Sequence, residues 1–138
     1  MELREMTQQD KAFVMGIDSH MDEAAFQNRL LTKSGFVLWE AGQPVGWMHH
    51  CVLWDNLPFL NLLYVLEDWR GKGFGRQAMA AWEEEMKNRG YKMVLISTQS
   101  DESAQHFYRK QGYVDCGCLV FQNTPFDQPT ELFFRKVL

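Results

Sequence analysis

The chain has 138 residues, 46% hydrophobic and 23% charged, which suits one folded domain (1–138) with a core of its own. A formal net charge of −4 speaks against general affinity for nucleic acid or an acidic membrane, so any basic cluster here is local. The three cysteines, Cys51, Cys116 and Cys118, lack metal-site spacing: Cys116-Gly117-Cys118 is CxC rather than CxxC, and no histidine cluster follows it. Reduced thiols in a cytoplasmic protein without a metal are therefore expected. The charged start, MELREM, does not read as a signal peptide, and no apolar run approaches the roughly 20 residues that span a bilayer.

Taken in order, residues 2–6 are short enough for an edge strand only. Thr7 is placed to cap a helix whose apolar face is Phe13, Val14 and Ile17, running to about Ser19. Asp22 can cap a second helix carrying Ala25, Phe26, Arg29 and Leu30, with Gly35 in the left-handed position that ends it. Strands are expected at 36–40 and 45–54, with turns at 41–44 and 55–58. Residues 60–66 are apolar except for Asn61, as in a strand covered on both faces. Phe74, Ala78, Met79, Trp82 and Met86 then fall on one face of a helix that Gly90 closes. The run 93–96 reads as a buried strand parallel to its predecessor, and a short helix follows. Strands at 114–121 and 131–138 finish the chain. The loop 123–130 between them is long for a hairpin and is a candidate recognition segment.

The chemistry concentrates in Arg70-Gly71-Lys72-Gly73-Phe74-Gly75-Arg76, three glycines and three cations in seven residues at the entrance to the long helix. A helix start presents unpaired N–H groups and a partial positive charge, and glycines let a ligand approach the backbone closely. That is an anion site. It is not a Walker loop, because no GxxxxGK[ST] is present, and a dinucleotide GxGxxG beginning at Gly71 is broken by Arg76.

Arg70, Gly73 and Gly75 instead satisfy [QR]-x-x-G-x-[GA], and the chain here resembles the GNAT superfamily of N-acetyltransferases. Downstream, Asp101, Ala104, Phe107, Tyr108, Gly112 and Tyr113 resemble that family's N-x-x-A-x-x-F-Y-x-x-x-G-[FY] element, with Asp101 in place of asparagine. The motifs cover residues 60–113; the order of elements is similar to the family's over nearly the whole chain.

The resemblance implies an α+β, three-layer αβα fold: a mixed, mostly antiparallel sheet of six to seven strands with a parallel central pair. It implies acetyl-CoA as acetyl donor and a primary amine of a small molecule or peptide as acceptor. Transfer would be direct, in a ternary complex. By the same resemblance, Arg70, Gly71, Lys72, Gly73, Phe74, Gly75 and Arg76 hold the pyrophosphate. The backbone of Leu63, Tyr64 and Val65 pairs with the pantetheine arm, and Asp101, Ala104 and Phe107 lie along the donor. Asp101 keeps an acceptor and a helix-capping oxygen but loses the amide donor, so capping is its expected role. Tyr108 is the expected acid toward the departing thiolate; its ordinary alternative is a core ring packed on Tyr113. No acidic base stands on the strand before the glycine loop, where Asn61 occurs. His49 and His50, which point to opposite faces, are the candidates, although a strand histidine is more often a satisfied, half-buried residue than a base. Asp18, Asp22, Glu23 and Asp127 could attract a cationic acceptor. A homodimer is compatible with the sequence, and an acyl-CoA-binding sensor without turnover is the alternative function.

Overall fold

A computed structural model describes all residues, 1–138. Seven strands form one mixed sheet: β1 (Glu2–Glu5), β2 (Gly35–Glu40), β3 (Gln43–Leu53), β4 (Leu57–Val65), β5 (Met93–Gln99), β6 (Val114–Leu119) and β7 (Glu131–Val137), in the order β1-β2-β3-β4-β5-β7-β6. The helices are α1 (Lys11–Ile17), α2 (Glu23–Thr32), α3 (Phe74–Asn88) and α4 (Ala104–Lys110). β5 runs parallel to β4, with Phe59 beside Leu95 and Leu60 beside Ile96, while β1–β2, β2–β3, β5–β7 and β6–β7 are antiparallel. The expected mixed sheet with a central parallel pair and flanking helices is what forms.

Two compact units divide the chain. The first comprises Met1–Cys51 and Asn61–Trp82, the second Val52–Leu60 and Glu83–Leu138. The core of the first is built where Val14 of α1, Met21 of the connection after it and Phe26 of α2 meet Val37 and Trp47 of the strands, with Leu62 packed on the same cluster. In the second, Val94, Ile96 and Phe134 are fully or nearly fully buried, and Phe59 of β4 stacks on Phe133 of β7 at 5.8 Å.

Local chemistry explains most boundaries. Thr7 does cap, but first a 3₁₀ turn: its backbone and side chain share a capping box with Asp10, and α1 begins only at Lys11. Asp22 caps α2 through Ala25 N at 2.8 Å. That helix ends not on Gly35 but on Lys33, whose φ of 52° takes the left-handed role. Gly35 instead opens β2, and a Cβ there would meet Trp47 at 2.6 Å and the Met6 sulfur at 2.7 Å. Close packing, not turn geometry, calls for that glycine. The apolar face of α3 is buried as its spacing predicts, with Ala78, Met79, Trp82 and Met86 at 1% exposure or less.

Two strand expectations need correction. β5 alternates buried and half-buried residues rather than being covered on both faces, and in β4 Asn61 is exposed while residues 62–65 are only half-buried. β4 thus leaves apolar surface in its second half uncovered, directly before the glycine turn.

Candidate donor site and the buried histidines

The segment from Tyr64 to Phe74 is held almost wholly by its own neighbours. Arg70 donates from Nε to the Val65 carbonyl at 2.8 Å and lies over the Tyr64 ring at 5.2 Å. Lys72 donates to the Asp68 carbonyl at 2.9 Å and sits over the Trp69 ring at 4.9 Å, and Trp69 packs on Phe74 at 5.7 Å. Both cations are pinned by backbone oxygens rather than by carboxylates, so their charge is not cancelled. Gly73 accepts the first helical bond, from Gln77 N at 3.1 Å, which leaves the N–H groups of the first turn of α3 without an intrahelical partner.

The glycines are required by conformation. Gly71 and Gly73 have φ of 71° and 82°, where an L side chain is strained, yet a Cβ at Gly71 would meet nothing within 4 Å and one at Gly73 only the Gln77 amide at 3.9 Å. The space they leave open is the space an anion on the helix start would need. The donor set fits a pyrophosphate: backbone N–H groups, a helix terminus, and Arg70, Lys72 and Arg76, all exposed.

Tyr108 lies in the second unit, on α4. Its ring meets Tyr113 edge-on at 5.8 Å and Phe107 at 5.1 Å. Burial, reinforced by the charge of Glu102, pushes its phenol up to about 12, so it remains a proton donor at any working pH. Tyr113 donates to Glu83 at 2.9 Å, and Lys136 completes that site by bonding the other Glu83 oxygen at 2.6 Å. Tyr113 is thereby occupied as structure. Ala104 and Phe107 are half-buried on the same helix. Asp101 does not cap that helix: Ser103 is at the N-cap and makes no side-chain cap bond, while Asp101 is exposed in the preceding turn. The segment is tied instead by Glu102, which accepts from Thr98 Oγ1 at 3.0 Å, and by Gln105, which donates to the Ser100 carbonyl at 2.9 Å.

The histidines do point to opposite faces, and both are buried. His50, 2% exposed, accepts the Trp82 indole N–H at Nδ1 (3.1 Å). His49, 8% exposed, stacks on Trp47 at 5.3 Å, with its Nε2 3.6 Å from Asp18, beyond hydrogen-bond range. Asp18 accepts from Trp47 Nε1 at 3.2 Å and from His20 N at 3.0 Å. Burial, with the Arg29 charge behind it and only partly offset by Asp18, holds His49 down to about 4. Neither histidine is a convincing base: His50 has spent its lone pair, and His49 is too weak a proton acceptor for an amine. Of the other acids named from the sequence, Asp22 is a helix cap, Glu23 pairs with Lys11, and Asp127 is exposed in the 120–130 loop. The sequence reading missed the Asp18–Trp47–His49 assembly, because its members lie 29 and 31 positions apart along the chain (47 − 18 and 49 − 18) and no local pattern links them.

Comparison with known proteins now bears on this geometry. The profile of the acetyltransferase (GNAT) family matches residues 3–113, well over half the chain. The chain belongs to the GNAT family of acetyltransferases. No curated protein matches it significantly in sequence. Among solved structures it is similar to the ribosomal-protein-alanine N-acetyltransferase of Brucella melitensis, with a TM-score of 0.83, 21% identity and full coverage of both chains. It is also similar to Ard1 of Thermoplasma volcanium (TM-score 0.81, 20% identity, 99% and 97% covered). A third is an aminoglycoside 6′-N-acetyltransferase solved with coenzyme A (TM-score 0.77, 13% identity, 99% and 97% covered). At these identities the likenesses establish the GNAT fold. No helix of the chain is long and apolar enough to cross a membrane, and no group of three or more His, Cys, Asp or Glu could hold a metal.

Proposed function

We propose that this GNAT chain is an N-acetyltransferase that passes the acetyl group of acetyl-CoA directly to a primary amine of a small molecule or peptide within a ternary complex. The observation that carries the reading is the start of α3, where two glycines at positive φ, free N–H groups and three exposed cations surround open space. The donor's phosphates bind there. The half-buried backbone of Leu63, Tyr64 and Val65 pairs with the pantetheine arm as an added strand would, and an N–H of that segment faces the thioester oxygen. The GNAT neighbour solved with coenzyme A supports coenzyme A as the donor's carrier.

In the transfer, the amine nitrogen attacks the thioester carbon, the C–S bond breaks, and the sulfur leaves with the bonding pair. Tyr108 donates a hydrogen bond to that sulfur. A phenol held near 12 lies far above a thiol, about 8.5 when unperturbed, so full transfer from phenol to thiolate is uphill by about 5 kcal/mol. Tyr108 therefore stabilises the developing charge, and the proton that finally rests on sulfur comes by way of water. The amine attacks in its neutral form and sheds its proton to water, since both histidines are otherwise engaged. Asp101, Ala104 and Phe107 line the donor's arm. The chain works in the cytoplasm, as expected of a protein with three free thiols.

Retention of Tyr108, a hydroxyl donor that an acyl-CoA sensor would not need, favours turnover over that alternative. Thiol release from acetyl-CoA, measured across a broad library of primary amines, tests the proposal. Release with at least one amine is expected; tight donor binding with no release from any amine would convert the enzyme into the sensor.

A further inference from the structure

Two tight turns of the second unit border one cleft of about 640 Å³, a volume usual for small-molecule sites. The first turn joins β3 to β4 and contributes residues 54–57; the second ends α3 and contributes residues 89–93. None of them belongs to the donor site. In the first turn, Asn56 N donates to the Leu53 carbonyl at 3.1 Å, closing a two-residue hairpin turn on Trp54 and Asp55. Their φ angles are 52° and 60°, the left-handed region where glycine is at ease and a tryptophan is strained. Packing does not compensate, for Trp54 is 81% exposed and its ring meets no other ring or cation. A strained, exposed indole on a cleft wall is a side chain held for something outside the chain.

In the second turn, Gly90 has φ of 94° and Tyr91 N donates to the Met86 carbonyl at 3.1 Å, which sets Tyr91 and Lys92 on the cleft. Arg89 beside them is already held by Glu85 at 2.7 Å. Lys92 and Asp55 are exposed and make no ion pair, with each other or with any residue. The lining thus offers an unanswered carboxylate next to an indole, and an unanswered ammonium next to a phenol. We propose that this cleft binds a free aromatic amino acid as its zwitterion. The ring stacks on Trp54, the ammonium pairs with Asp55, and the carboxylate pairs with Lys92. A ligand with only a negative charge would meet Asp55 as a like charge, and one with only a positive charge would meet Lys92 so. An aliphatic amino acid would leave the indole face unused, whereas an aromatic ring gains from stacking on it. Leu57 and Met93 add apolar lining for the rest of the ring.

Calorimetric titration of the full-length chain with L-phenylalanine, in the absence of acetyl-CoA, tests this. Binding is expected at about millimolar concentration or below. Phenethylamine, which lacks the carboxylate, and 3-phenylpropionate, which lacks the ammonium, are each expected to bind roughly fivefold weaker or worse. Trp54→Gly relieves the strained turn, so its unfolding midpoint should equal or exceed the wild-type value while L-phenylalanine binding is lost. Lys92→Gln, at an exposed site, should weaken L-phenylalanine roughly fivefold and leave phenethylamine unchanged. Neither variant should alter coenzyme A affinity. L-phenylalanine also carries a primary amine, so binding that survives in both variants places it elsewhere on the chain and overturns the proposal. No binding by the wild-type chain at about 10 mM overturns it too. So does 3-phenylpropionate binding as tightly as the amino acid.

Discussion

The donor loop and the Asp18–Trp47–His49 cluster belong to the same unit and treat charge in opposite ways. In the loop, Arg70 and Lys72 are held by carbonyls four or five residues away in sequence, stay exposed, and face no carboxylate that would cancel their charge. In the cluster, a carboxylate and two rings from distant segments are buried together, and the histidine is kept neutral. A binding site for an anion is cheap to build locally, because a helix start and two glycines supply most of it. A buried polar cluster has to be assembled by the fold, and its first task is to satisfy its own groups.

The largest effect is expected at Gly73. Gly73→Val forces a branched side chain into a φ of 82° on a turn that meets little protein, so the chain should stay folded while coenzyme A affinity falls 100-fold or more. Calorimetric titration of the variant reads this, and unchanged affinity in a folded variant would remove the loop from the site. Next comes Tyr108→Phe, which keeps the ring against Tyr113 and deletes only the hydroxyl. Turnover should drop on the order of 10²-fold with donor affinity nearly unchanged. A variant with wild-type turnover returns Tyr108 to the core.

The cluster makes a prediction about stability instead of rate. An unfolded histidine titrates near 6.5 and His49 near 4, so between those values the unfolded chain binds a proton that the folded one refuses. Stability is unaffected by His49 above pH 6.5, declines as pH falls from 6.5 toward 4, and levels off below. The loss amounts to about 3 kcal/mol, from about 1.4 kcal/mol per pH unit. Urea titrations from pH 7 to 4 should show a shallower decline in His49→Gln; an identical decline means the proton goes elsewhere. The smallest effect belongs to Arg76→Ala. Its charge is exposed, so donor binding should weaken by a few-fold at low salt and by less as salt rises.

How far the sequence could be read follows the same division. Gly71, Gly73, the apolar face of α3 and the caps at Thr7 and Asp22 were legible because each is decided within a few residues. The left-handed end of α2 was misplaced by two residues: Gly35 was the natural candidate for it, but Trp47 and Met6 needed the space above Gly35, a constraint from 12 and 29 positions away. Asp101 was expected to cap α4 and does not, since Thr98, Glu102 and Gln105 organise that turn among themselves. The exposure of Cys116 and Cys118 was likewise invisible, because a strand's place at the edge of a sheet is decided by the order of the other strands.

The account rests on the start of α3 being a coenzyme A phosphate site rather than a general nucleotide loop. Thermal unfolding of the wild-type chain with coenzyme A, NAD or ATP at equal concentration tests this directly. The account predicts that coenzyme A alone raises the midpoint; an equal rise with NAD or ATP, or none with coenzyme A, would contradict it.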